Sequence, residues 1–96
     1  MWLYESHRGD GIYAEEYQVP FYDLVCERCG DADNELGNFN SVSDALKCLS
    51  GGIRVLPGDG GYCLDGILEE LNSIFNENVT EEEARDIILK ERAKRE

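Results

Sequence analysis

Positive charge is what this sequence has least of. Nine Lys and Arg stand against 21 Asp and Glu, so the 96-residue chain carries a formal charge of −12. Nucleic acid and anionic membranes carry the same sign, which removes both from the expected direct partners. Long apolar runs are also missing, and none approaches the roughly eighteen residues that a membrane-spanning helix needs. The opening Met1-Trp2-Leu3-Tyr4-Glu5 has neither the basic region nor the apolar stretch of a secretory signal, so the expected compartment is the cytoplasm. Histidine occurs once, at His7, and the four cysteines include only one closely spaced pair. Internal repeats and low-complexity linkers are absent. What remains is a folding composition: 42% hydrophobic and 31% charged residues are unlike a disordered acidic tail. The length suits a single domain over residues 1–96 with a modest core.

The pattern changes along the chain. Residues 1–40 read as strands and turns, and they hold nine acids against two bases, Arg8 and Arg28. Trp2–Ser6 is an aromatic-rich strand, Arg8-Gly9-Asp10-Gly11 a turn, and Ile12–Tyr17 a return strand. After Pro20, period-two alternation places Tyr22, Leu24 and Cys26 on one face of a third strand, and Glu35–Phe39 is a glycine-interrupted fourth. Such short connections imply antiparallel pairing. Residues 41–79 read as two helices with a Gly-rich connector. Ser41 with Asp44 resembles a capping box ahead of Val42, Ala45, Leu46 and Leu49, and Gly51-Gly52 stops that helix. Ile53–Leu56 is an extended piece, closed by Pro57–Gly61. Leu64, Ile67, Leu68, Leu71, Ile74 and Phe75 then give the clearest amphipathic stripe. Residues 80–96 form a last helix capped by Thr80 with Glu83. Its acids lead, its bases trail, and Asp86–Lys90 and Glu91–Arg95 stand at i,i+4 spacing. The expected fold is therefore α+β: an N-terminal antiparallel sheet of three or four strands followed by three helices, with the Leu64–Phe75 stripe packed on the sheet. The last turn is expected to project into solvent or to meet a second copy in a homodimer.

Cys26-Glu27-Arg28-Cys29-Gly30 is the most motif-like segment. A tight turn of this kind lets two thiolates face one ion while backbone N–H groups point at sulfur, and Gly30 lets the backbone close. Zinc is the cofactor this pair would take. The remaining donors, Cys48, Cys63 and His7, are far apart in sequence, so a site of Cys26, Cys29, Cys48 and Cys63 requires two helices to approach the knuckle. Without a secretory signal the thiols are expected reduced, not disulfide-bonded. A redox pair is disfavoured, because Glu27, Asp31 and Asp33 around the turn should raise thiol pKa values. Cys48, beside the Ala45–Leu49 face, reads as a small buried hydrophobe. Cys63 opens a helix after a glycine-rich loop, where a thiolate is favoured, and a cysteine enzyme would need His7 as its base.

Other patterns fail on inspection. Asp31–Glu35 begins like a calcium loop, but Leu36 and Val42 stand where glycine and a bidentate Glu are required. Gly58-Asp59-Gly60-Gly61 precedes a helix, yet no GK[ST] follows and Asp59 and Asp65 would repel phosphate. Paired carboxylates are plentiful by composition alone and give no hydrolase signature. The leading expectation is a small binding or regulatory protein without catalysis of its own. Its acidic, tyrosine-bearing sheet region, with Tyr13, Glu15, Glu16, Tyr17, Asp31, Asp33 and Glu35, would engage a basic protein partner. Such a profile is shared by many accessory proteins on bacterial mobile elements, by analogy only. The alternatives are a zinc-binding structural module built on Cys26 and Cys29, and a cysteine-dependent enzyme using Cys63.

Overall fold

In the computed structural model, which describes residues 1–95, the turn signal at Arg8–Gly11 closes a hairpin. Strand β1 (Trp2–Glu5) pairs antiparallel with β2 (Ile12–Glu15), Leu3 opposite Ala14 and Tyr4 opposite Tyr13. A single helical turn, α1 (Phe21–Leu24), follows, and β3 (Asn34–Asn38) completes a three-stranded antiparallel sheet in the order β2-β1-β3. The fold is thus α+β, with the sheet N-terminal. The chain divides into two compact units, Met1–Phe39 and the remainder from Asn40.

In the first unit, Leu3 and Tyr4 are completely buried, and Leu24 and Phe39 nearly so. Tyr4 stacks on Tyr13 with ring centroids 5.5 Å apart, and its hydroxyl accepts a hydrogen bond from the Val19 N–H at 2.7 Å. The β1–β3 register shifts between Leu3 and Tyr4, close to where β3 carries Gly37 at φ 137°. A Cβ there would strike the Phe39 ring, so the irregular backbone and the buried aromatic both require glycine.

One expected strand is replaced. Tyr22, Leu24 and Cys26 do not share a sheet face, because Phe21–Leu24 is helical. Pro20 stands at the N-cap with φ −59°, and the Asp23 N–H donates to its carbonyl at 2.9 Å. Proline's fixed φ favours this turn, and its missing N–H costs nothing at a helix start. The turn buries Leu24 alone and leaves Phe21 and Tyr22 in solvent.

In the second unit, α2 (Val42–Leu49) is capped by Ser41, whose hydroxyl accepts from the Asp44 N–H. A 3-10 turn over Ser50–Gly52 ends it. Two-residue strands β4 (Ile53–Arg54) and β5 (Tyr62–Cys63) pair in parallel and lead into α3 (Leu64–Phe75). Left-handed Asn76 terminates α3, and Thr80 caps α4 (Glu81–Lys94) through the Glu83 N–H. The Asn72 side chain bridges this connection by donating to the Val79 carbonyl and accepting from its N–H, both at 3.0 Å. Val42, Ala45 and Leu46 of α2, Leu64, Ile67, Leu68 and Leu71 of α3, and Ala84 and Ile88 of α4 are buried. Within the unit, α3 packs with α2 and α4. No helix among the described residues is long and apolar enough to cross a membrane.

Arg92 closes this unit. Its guanidinium donates to the Ser50 carbonyl at 2.7 and 3.0 Å, to the Ile53 carbonyl at 2.6 Å and to Asp59 Oδ2 at 2.9 Å. Asp59 in turn accepts the Val55 and Leu56 N–H groups. The end of α4 is therefore tied back, not projecting: Arg95 donates to the Lys47 carbonyl and Glu91 pairs with Lys94 instead of Arg95. The expected Asp86–Lys90 pair forms at 3.0 Å. Arg92, followed by the Leu56 and Val55 N–H groups, lowers the Asp59 pKa to about 2. A depressed carboxylate contributes stability that is present above its ordinary value of 3.8 and is lost as pH falls toward 2. Arg92→Met should lower the thermal midpoint near neutral pH and lose less further stability between about pH 4 and pH 2 than the parent does. Melting curves of both proteins across that range check this; parallel acid losses would contradict it.

Candidate metal site

The knuckle forms as a closed turn beyond α1. Cys26 N–H donates to the Asp31 carbonyl at 2.7 Å, Gly30 N–H to the Cys26 carbonyl at 2.8 Å, and Val25 bridges Ala32. Gly30 has φ 78°, the left-handed conformation that glycine adopts without steric cost. This geometry turns the N–H groups of Cys29 and Arg28 toward the Cys26 sulfur. Together with the Cys29 thiol and the Arg8 guanidinium, they lower the Cys26 pKa to about 6. The expectation that Glu27, Asp31 and Asp33 would raise it does not hold: the donors in direct contact with the sulfur prevail.

The third donor comes from the hairpin. His7 sits in the β1–β2 turn, and one of its ring nitrogens lies within 4.8 Å of both sulfurs, which are equally close to each other. Asp33, at the exit of the knuckle, fixes this ring. Its Oδ1 is 2.5 Å from His7 Nδ1 and accepts the His7 backbone N–H at 3.0 Å, while Oδ2 accepts the Tyr13 hydroxyl at 2.5 Å. Nδ1 is thereby engaged, and Nε2 is buried without a hydrogen-bond partner. A carboxylate on Nδ1 selects the tautomer that leaves Nε2 as the free donor atom. The electrostatics agree. The Tyr13 hydroxyl and the His7 backbone and ring hold Asp33 down at about 2, and the bond to Asp33 raises the His7 pKa. Burial and then the bond to Asp33 raise Tyr13, keeping it a donor.

The expected site residues are distributed differently from the sequence reading. Cys26 and Cys29 come together with His7. Cys48 and Cys63 lie in the second unit, both exposed, and belong to no such group among the described residues. Cys48 is not a buried hydrophobe: it stands two positions from buried Leu46, about 200° around the helix. Cys63 is the N-cap residue of α3, and its thiol donates to Asp65 at 2.6 Å. Of the acidic-face residues, Tyr13 and Asp33 are drawn inward to support His7. Glu15, Glu16, Tyr17 and Asp31 are exposed, and Glu35 accepts from Gln18. His7 is the donor that spacing did not bring to the knuckle; its signal was the Arg8–Gly11 turn, which folds the chain back beside it.

His7 is the chain's single histidine, so its imidazole resonances titrate alone. In the metal-free protein Asp33→Asn should lower the His7 midpoint, because the carboxylate that favours the charged ring is gone. An NMR titration showing no change would place Asp33 elsewhere than on Nδ1. No protein-family model, curated protein or solved structure matches this chain, and the functional reading rests on this geometry alone.

Proposed function

We propose that this protein is a small zinc-binding module in which Cys26, Cys29 and His7 ligate the ion. The observation that carries the reading is the convergence of two thiols and one imidazole whose Nδ1 is held by a carboxylate. Thiolates and imidazole suit zinc, and the hydrogen-bonded turn around Cys26 lowers the cost of the thiolate form. The size of the first unit supplies the reason. Only Leu3, Tyr4, Leu24 and Phe39 are buried apolar residues in it, and units near 40 residues usually need a staple. An ion joining the hairpin turn to the knuckle would provide one. Cysteine, histidine and aspartate in this order also describe a thiol nucleophile, but that chemistry gives the second thiol, Cys29, no part.

A separate observation favours a second reading. Tyr17, Phe21 and Tyr22 are 80%, 72% and 76% exposed; Tyr17 directly follows Glu15 and Glu16, and Phe21 and Tyr22 come just after Pro20. Exposed aromatic rings beside carboxylates suit the guanidinium and ammonium groups of a basic protein partner, through cation–π contact and charge. On this reading the metal shapes the unit and its surface binds the partner.

The first reading predicts one zinc ion per reduced chain by native mass spectrometry, and a lower melting temperature after chelation. Cys29→Ser or His7→Gln should abolish tight binding, while Asp33→Asn should weaken it about 10–100-fold. A reduced chain that stays metal-free in excess zinc, with unfolding indifferent to chelator, would sink the proposal. The second reading predicts salt-sensitive binding of an Arg-Gly repeat peptide, weakened about tenfold in Tyr17→Ala/Phe21→Ala/Tyr22→Ala. Equal binding of a Ser-Gly peptide of the same length, or an unaffected triple variant, would refute it.

A further inference from the structure

The described residues bring three donors together at this site, one fewer than a tetrahedral zinc ion uses. Where three protein ligands hold zinc, the fourth position goes to water or to an outside ligand, and its surroundings decide which. Those surroundings are asymmetric. His7 is largely buried, with its side chain 16% exposed and fixed by Asp33. Cys29 is exposed, so the cluster opens to solvent on the cysteine side. On the Cys26 side stands Arg8, an exposed residue whose Nη2 lies 3.8 Å from the Cys26 sulfur.

This arrangement sets the charge that an incoming ligand meets. Two thiolates neutralise the ion, and Asp33 is occupied by Tyr13 and His7. The Arg8 guanidinium beside Cys26 is then a positive group at the edge of the cluster. Resting on the zinc reading, we propose that the fourth position takes a carboxylate, one oxygen on the ion and the other accepting from Arg8. The guanidinium favours a carboxylate over a neutral ligand or a thiolate, because only the carboxylate keeps a second, charged oxygen to accept an N–H from Arg8 while the first meets the ion. The step is a ligand exchange: the carboxylate–ion bond forms as the water–ion bond breaks, the water leaves to solvent, and no oxidation state changes. It comes either from a small molecule or from an acidic side chain of a second copy of this chain, which carries 21 of them.

Cobalt substitution of the full reduced chain tests this, because sulfur-to-cobalt charge transfer reports loading and the d–d bands report the fourth ligand. Acetate titrated into dilute loaded protein should shift the d–d bands saturably, with the charge-transfer band as the loading control. Arg8→Gln should raise the half-saturating acetate concentration about tenfold, the effect of one lost charge-assisted hydrogen bond. A shift that instead grows with protein concentration without acetate, alongside a doubled mass in sedimentation, identifies the second copy as the carboxylate source. A missing charge-transfer band refutes the metal reading itself. Charge transfer with d–d bands that neither acetate nor concentration moves overturns this inference and leaves the metal reading standing. So does an acetate response that Arg8→Gln does not weaken.

Discussion

Asp33 is the residue on which the first unit converges. Its two oxygens accept from the His7 backbone, the His7 ring and the Tyr13 hydroxyl, while its own N–H donates to the Leu24 carbonyl at 3.2 Å. These contacts join the hairpin turn, strand β2, the single turn α1 and the exit of the knuckle. A carboxylate accepts these three hydrogen bonds best while ionised, and the same donors keep it ionised, with its pKa at about 2. The arrangement is thus self-consistent: the tautomer of His7, the protonated state of Tyr13 and the charge of Asp33 each require the other two.

The second unit uses the opposite sign for the same task. Arg92 is a donor that gathers acceptors, namely the carbonyls of Ser50 and Ile53 and the carboxylate of Asp59. Both hubs sit where irregular backbone must be ordered without much apolar surface to bury. The Gly-rich connector around Asp59 has few side chains to pack, and the hairpin-and-knuckle region has few buried ones. Charged groups with several partners are an economical answer there, since each added hydrogen bond orders another stretch of backbone. The α2, α3 and α4 stripes need no such device, because their spacing alone supplies an apolar interior.

This contrast explains which features were legible in the sequence. Local rules were: the Arg8–Gly11 turn, the Ser41 and Thr80 caps, the Leu64–Leu71 stripe and the knuckle with Gly30 all depend on residues within one turn or one helical period. The boundary after Phe39 also coincides with the change from strand to helix pattern. Non-local features were not. His7 reaches the knuckle only because β1 and β2 pair and Asp33 returns beside them, and no spacing rule encodes that. Asp33 itself looks like one more acid in a polar turn until its partners are in place. At Tyr22–Cys26 two local rules competed, and the fixed φ of Pro20 prevailed over an alternation of only three residues. Cys48 shows the limit of adjacency as a guide, since a position beside a buried stripe can face away from it.

The acidic character of the first unit can now be divided into parts. Asp33 is consumed internally, and Glu35 is bonded to Gln18. Glu15, Glu16 and Asp31 remain exposed. A zinc ion held by two thiolates is itself neutral as a group, so loading the site would change that field by about one charge at most. Metal and acidic surface are therefore separable. A bound ion would act on the shape of the turn that carries Arg8 and of the chain beyond α1, whereas long-range attraction would depend on exposed carboxylates outside the Cys26–Cys29–His7 cluster. A partner drawn by charge would feel nearly the same field with or without metal, but only a unit held in one conformation would present Tyr17, Phe21 and Tyr22 as a fixed set. Specificity would then belong to the metal-ordered geometry and encounter rate to the charge, two properties the chain places on different residues.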